Sequence, residues 1–172
     1  MNLQSDDFEL FGLERRFAQD RALIDARWKD LQRQAHPDKF SVQGAAAQRI
    51  AMQWSVRINE AYQRLKVPLK RAAYLCELHG APVNAENNTA MPASFLMQQM
   101  QWREELDDAN GAEDLEKIRL QVKQAEREML NQLEQLIDCD ADFGAAVGQV
   151  RALMFIERFA RDVDTRLDAI ET

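Results

Sequence analysis

An all-α fold is predicted: an N-terminal helical hairpin with flanking short helices, followed by a C-terminal three-helix bundle. Three observations predict it. Apolar residues recur at steps of three and four through most of the chain, which is the period of a helix face. Six glycines and four prolines in 172 residues are few, which favours helices over a turn-rich β fold. The connections between periodic segments are short, so consecutive helices should be antiparallel neighbours.

Phe8-Glu9-Leu10-Phe11-Gly12-Leu13 is a short apolar segment stopped by a glycine. Six residues suit a one- or two-turn helix or a strand. Over residues 20–36, Ile24, Trp28, Leu31 and Ala35 share one helix face. At about 100° per residue, Lys29, Arg33 and His36 fall together on the opposite face, with Asp25 on the same side. Phe40-Ser41-Val42-Gln43-Gly44 is expected to be a loop. Residues 45–66 form a second long helix, with Ala47, Ile50, Ala51, Trp54, Ile58, Ala61 and Leu65 as its buried stripe. Two helices with one apolar face each and a short connection should pack as a hairpin. Pro68 opens a further short helix that ends at Gly80.

Residues 81–91 are polar, with proline and asparagine, and are expected to be a linker. Three helical segments follow, at residues 92–109, 112–139 and 141–170. Asp140 is the expected N-cap of the last. Leu115, Ile118, Val122, Ala125 and Met129 form the seam of the middle segment. Leu153, Ile156, Val163, Leu167 and Ile170 share a face of the last. The first segment carries more apolar residues than one core can take. Phe95, Trp102 and Leu106 share a face, while Leu96, Met97 and Met100 point well away from it, with Gln101 and Glu104 alongside. The second stripe either packs inside the protein or forms an exposed patch for a partner. Two methionines suit adaptable recognition. Phe155, about 100° from the Ile156 face, is expected to join that patch.

Composition excludes several classes. The chain is 46% hydrophobic and 30% charged, with a net charge of −7. Residues 1–80 carry 13 Lys/Arg against 10 Asp/Glu, and residues 81–172 carry 9 against 19. The dense basic face of a nucleic-acid protein is missing, and the uneven charge suggests two modules with different partners. Cys76 and Cys139 offer neither a metal-ligand spacing nor a disulfide framework, so a reducing compartment is expected. No signal-peptide pattern and no membrane-length apolar run occur, which makes the cytoplasm the simplest location. No cofactor or metal is expected, nor any nucleic-acid or membrane partner.

The stretch Gln34-Ala35-His36-Pro37-Asp38-Lys39-Phe40 carries the most chemistry. Proline disfavours helical backbone in the residue before it, so the arriving helix should end near His36. An imidazole, a fixed ring and a carboxylate are then displayed within three residues. Such a junction also occurs as a plain helix end. A catalytic reading of His36 and Asp38 has little support. Only His36 and His79 are present, no glycine-rich phosphate loop or metal motif accompanies them, and the intervening proline makes a direct pair awkward.

The order of these motifs resembles the J-domain family. It comprises the Phe-Glu-Leu-Phe-Gly-Leu element, a basic helix, His-Pro-Asp, a helix carrying Ile58-Asn59-Glu60-Ala61-Tyr62-Gln63-Arg64-Leu65, and then Pro68-Leu69-Lys70-Arg71-Ala72-Ala73-Tyr74. Ala35 is a departure, since many J-domains have tyrosine before the histidine. With Phe95-Leu96-Met97-Gln98-Gln99-Met100 and Arg103-Glu104-Glu105-Leu106 in the second half, nearly the whole chain resembles the HscB family of co-chaperones.

That resemblance implies a J-domain at residues 1–80, a linker at 81–91 and a scaffold-binding bundle at 92–172. It implies that His36, Pro37 and Asp38, with Lys29, Arg33 and Lys39, engage the DnaK-type chaperone HscA and stimulate its ATPase. It implies that Leu96, Met97, Met100, Gln101, Glu104 and Phe155 contact IscU, the scaffold protein of iron–sulfur cluster assembly. Met100 replaces a leucine of the family pattern, a volume-conserving change, and Gln101 replaces a glutamate, which removes one charge. A monomer is expected. The alternative is a general J-domain co-chaperone whose bundle serves for dimerisation.

Overall fold

The computed structural model describes residues 2–85 and 88–171, and no strand occurs among them. The fold is all-α. The chain divides into two compact units, Met1–Leu75 and Cys76–Thr172, with the division inside the helix Pro68–Leu78.

In the first unit, α1 (Asp7–Phe11) is a helix of five residues. Asp6 caps it by accepting from the Glu9 N–H at 2.9 Å, and Gly12 closes it at φ 64°, a left-handed position that glycine takes without a Cβ clash. Phe8 and Phe11 are both 1% exposed, so this short element serves as an apolar plug. Next come α2 (Arg21–Ala35), α3 (Ala45–Lys66) and α4 (Pro68–Leu78). Asp20 caps α2 by accepting from the Ala22 N–H at 2.9 Å. Ile24, Leu31 and Ala35 of α2 are buried, as are Ala51, Ile58, Ala61 and Leu65 of α3.

Several expectations need correction. Residues 40–44 are not an open loop, because a 3₁₀ helix runs from Pro37 to Gln43. Proline suits the first turn of such a helix, where its missing N–H is not needed. Ile50 is 55% exposed, and Ala47 and Trp54 are only half-buried. The reason is length. At 1.5 Å per residue, the 22 residues of α3 run about 10 Å further than the 15 residues of α2, so the first turns of α3 lack a full cover. Trp28 is half-buried. Its indole N–H donates to Asn59 Oδ1 at 2.9 Å and its ring meets Tyr62 edge-on at 4.6 Å.

Two buried charges hold the short elements to the hairpin. Asp7 is fully buried. Its carboxylate accepts from Arg57 at 2.7 Å and from Arg64 at 2.6 and 2.9 Å, while its backbone N–H donates to the Tyr74 hydroxyl at 3.0 Å. Arg71 donates to the carbonyls of Phe17 and Leu65, each at 2.6 Å, with its guanidinium 5.0 Å from the centre of the Phe17 ring. A buried charge is tolerable only when paired or hydrogen-bonded: Asp7 has two arginines and Arg71 has two carbonyls.

The second unit contains α5 (Ala93–Asp108), α6 (Ala112–Glu134) and α7 (Phe143–Glu171). Arg119 pairs with Asp164 at 3.4 Å and Gln149 donates to Gln132 at 2.8 Å, so α6 and α7 run antiparallel. Phe95 meets Phe155 and Trp102 stacks on Phe159, so α5 runs parallel to α7. This is an up-down-up three-helix bundle. Leu115, Ile118, Val122 and Leu133 of α6 face Val150, Leu153, Ile156, Val163 and Leu167 of α7 in a shared core.

Residues 135–139 form a π turn beyond α6. The last helix starts at Phe143, and Asp142, not Asp140, accepts the Ala145 N–H at 3.1 Å. Asp140 instead accepts from the Gln135 side chain at 3.1 Å. Ile170 is 50% exposed, because it lies in the final turn of α7, beyond the apolar cover that ends at Leu167. Of the expected linker, Glu86 and Asn87 lie outside the described residues. Arg151, 7% exposed, donates to the carbonyls of Val83 at 2.9 Å and Ala90 at 3.1 Å, which ties that stretch to α7. His79 stacks on Phe143 with ring centres 3.9 Å apart. Burial pushes the Cys76 thiol up to about 11, so it is an inert packing group.

Replacing Asp7 by asparagine should strand two arginines beside a buried neutral amide. The expected loss is about 3 kcal/mol of stability, read as a lower denaturant midpoint with the slope unchanged.

Candidate functional site

Two surface features emerge, one in each unit. The first is the turn after α2. Ahead of Pro37, His36 sits at φ −63°, ψ 127°, the extended conformation that a following proline imposes. The 3₁₀ turn then brings Asp38 back toward the imidazole. Asp38 N–H donates to His36 Nδ1 at 3.2 Å, and Asp38 Oδ2 lies 3.6 Å from the same nitrogen. The two side chains thus approach to 3.6 Å, beyond hydrogen-bond reach of each other. Ser41 Oγ donates to the Asp38 carbonyl at 3.0 Å and Lys39 N–H to the His36 carbonyl at 3.0 Å. These bonds fix the turn from inside and leave its polar atoms outside. The side chains of His36 and Asp38 are 57% and 92% exposed.

The basic stripe is present on α2. Lys29, Arg33 and Lys39 are all exposed, and Arg33 has only a loose contact with Asp30 at 3.8 Å. Asp25, expected among them, is drawn off toward α3. It accepts from the Tyr62 hydroxyl at 2.7 Å and from Arg21 at 2.9 Å. The Tyr62 hydroxyl, then Arg21, hold its carboxyl below the usual range. A polar lattice missed in the sequence reading keys α2 to α3. Gln32 donates to Asn59 Oδ1 at 2.7 Å and accepts from Ser55 Oγ at 3.0 Å. Asn59, between Ile58 and Glu60, was the available signal.

The second feature lies on α5. Phe95 and Trp102 are buried at 5% and 2%, while Leu96, Met97 and Met100 are 43%, 74% and 73% exposed. Gln101 and Glu104 are exposed beside them. The two faces of α5 thus divide as the periodicity predicted, and the second stripe is surface. Phe155 is the exception. It is 8% exposed, with its ring 5.8 Å from Phe95 and 6.1 Å from Phe159. Arg103 lies 5.3 Å from its ring centre. The expectation that Phe155 is exposed fails because α5 attaches to α7 through aromatic side chains, and Phe155 is one of them. Arg103, to which the sequence assigned no contact role, is exposed and covers this ring.

A hairpin that displays His-Pro-Asp and a bundle that displays a Leu-Met-Met stripe can be set beside known proteins. A relative from Burkholderia mallei, "Co-chaperone protein HscB homolog", is 46% identical over 99% of both chains. The chain belongs to the HscB family of co-chaperones. A relative of the same name from Burkholderia multivorans is 46% identical over 100% of this chain and 99% of its own. A family model described as "HSCB C-terminal oligomerisation domain" matches residues 91–164. Chaperone HscB from Vibrio cholerae aligns with a TM-score of 0.83 and 34% identity, over 96% of this chain and 99% of that one. Human co-chaperone protein HscB aligns with a TM-score of 0.87 and 26% identity, over 96% and 84%.

Within this HscB-family chain no helix of the described residues is long and apolar enough to cross a membrane. No cluster of three or more His, Cys, Asp or Glu suited to a metal occurs among them. Both features are open surfaces, suited to meeting another macromolecule.

Exposure separates the α5 stripe from Phe155 energetically. Leu96, Met97 and Met100 replaced together by alanine should leave the melting temperature within a few degrees of the parent, since Met97 and Met100 are mostly exposed and Leu96 is close to half exposed. Phe155→Ala should cost about 3–5 kcal/mol and lower it sharply. Calorimetry of the two variants checks both.

Proposed function

We propose that this co-chaperone binds the iron–sulfur scaffold protein IscU and delivers it to the DnaK-type chaperone HscA, whose ATPase it stimulates, in the maturation of iron–sulfur proteins. It acts as a binding protein, not an enzyme, in the cytoplasm. The observation that carries this reading is the exposed His36-Pro37-Asp38 turn, braced from within by its own backbone bonds, in a chain of the HscB family. Residues 1–80 serve as the J-domain, 81–91 as the connector and 92–172 as the scaffold-binding bundle.

In this reading His36, Pro37 and Asp38 deliver the ATPase signal. Lys29, Arg33 and Lys39 steer the hairpin toward an acidic surface on the chaperone. His36→Gln should abolish stimulation while the helical circular dichroism stays at the parental value, because an exposed side chain adds little to the core. Stimulation that survives in this variant would sink the assignment. Added salt should weaken stimulation, since the screening length falls from about 8 Å at physiological ionic strength to about 3 Å at 1 M.

Leu96, Met97, Met100, Gln101 and Glu104 form the scaffold-binding surface, with Phe155 beneath as its buried support. Full burial of three such apolar side chains contributes roughly 1.5–3 kcal/mol each, against about 4–15 kcal/mol for lost freedom on association. The three apolar side chains roughly offset the association cost by themselves, so Gln101, Glu104 and the acidic bundle surface supply the remaining contacts of a transient complex of about micromolar affinity. The triple alanine variant of Leu96, Met97 and Met100 should therefore lose IscU in a calorimetric titration while it stays folded.

A second reading is favoured by the description of the matched family model, which speaks of oligomerisation. In it the same stripe pairs with a second copy. Sedimentation at micromolar concentration separates the two. A dimer dispersed by Met97→Ala and Met100→Ala supports self-association, and a monomer supports client binding.

A further inference from the structure

We propose that Arg151 and Arg158 of α7 form a socket for an aspartate or glutamate side chain of the client scaffold protein. This rests on the client-binding reading above and adds an acidic anchor to it. The two arginines line a cavity of about 110 Å³ beside Phe155, with Asn88, Met91 and Met154 in its walls. No carboxylate lines it among the described residues. Arg151 is buried at 7% exposure, whereas Arg158 is exposed.

Spacing along α7 builds the socket. Arg151, Phe155 and Arg158 follow one another at steps of four and three, so they share one helix face. Arg151 brings a buried charge with no anion to meet it. Its Nε donates to the Val83 carbonyl at 2.9 Å and its Nη1 to the Ala90 carbonyl at 3.1 Å, while Nη2 has no hydrogen bond among the described residues. The carbonyl bonds make burial tolerable but leave the charge unneutralised. The buried Cys76 thiol feels that charge, yet burial pushes it up to about 11, so it stays neutral. Residues 81–172 carry 19 Asp/Glu, and among the described residues none of them closes a pair with Arg151 or Arg158.

Charge selects the occupant. A guanidinium offers paired N–H donors that match the two oxygens of a carboxylate, and the exposed Arg158 adds a second cation. Position selects the carrier. The Phe155 ring that lines the cavity also meets Phe95 at 5.8 Å, and the residues that follow Phe95 are the exposed Leu96 and Met97. A protein covering that stripe therefore reaches the cavity. A free anion would meet the repulsion of the surrounding acidic residues unaided. A carboxylate carried on the client is instead held at high local concentration by the apolar contact. The socket also fixes register, because an apolar stripe tolerates sliding and a direct ion pair does not.

The test is a calorimetric titration of IscU into full-length parent, Arg158→Gln, Arg158→Lys, Arg151→Gln and Arg127→Gln. Arg127 is exposed on α6 and controls for net charge. Arg158→Gln and Arg151→Gln should each weaken binding about threefold to tenfold. Arg158→Lys should keep most of the affinity, and Arg127→Gln should match the parent. The Arg158 variants should melt at the parental temperature. One Asp or Glu of IscU, replaced by its amide, should lose affinity for the parent but not for Arg158→Gln, which is the coupling of a direct pair. Should Arg151→Gln fail to fold, the Arg158 series decides alone. Parental affinity of Arg158→Gln, with the triple alanine variant of Leu96, Met97 and Met100 unable to bind, overturns the socket and leaves the client reading standing. An equal loss in Arg127→Gln, or no coupling to any acidic residue of IscU, reduces the effect to net charge and overturns it too. Absence of binding by the parent itself overturns both.

Discussion

Proline 37 sets the geometry on which the hairpin depends. Its ring forces His36 out of helical backbone, so α2 must stop at Ala35. Its fixed φ then suits the first turn of the 3₁₀ helix that follows. One residue therefore ends a helix, reverses the chain and turns an imidazole and a carboxylate outward. The hydrogen bonds of the turn are internal to it, running from Asp38 and Lys39 back to His36. Because these bonds are local, the outer atoms of His36 and Asp38 stay open to a partner.

The hairpin behind that turn is aligned by polar contacts as much as by apolar ones. Apolar side chains set which faces meet but tolerate sliding along the helix axis. The Trp28, Gln32, Ser55 and Asn59 lattice does not, because a shift of one turn would break every bond in it. Asp7 does the same for α1. A five-residue helix has little stability of its own, and a buried carboxylate held by Arg57 and Arg64 specifies where it must dock.

The bundle solves a different problem. Its α5 helix has apolar residues on two faces and only one core to enter. The aromatic side chains win the core, because Phe95 and Trp102 bury the most area and meet Phe155 and Phe159 ring to ring. The more flexible Leu96, Met97 and Met100 are left outside. The patch follows from that competition.

The sequence by itself determined the long helices and which residues share a face of each. Periodicity, proline and glycine act over a few residues, so they are legible without a fold. The helix period set Leu96, Met97 and Met100 apart from the Phe95 face but left open whether that stripe packs inside, and the structure exposes it. Tertiary structure decided what depends on a neighbouring element. It buried Phe155 because α5 brings Phe95 against it, and it drew Asp25 away from the basic stripe because Tyr62 offers a hydroxyl. It left Ile50 and Trp54 partly bare because α2 is shorter than α3. A helix period says which side chains share a face; it does not say how far the covering element extends, and that depends on contacts between residues distant in the chain.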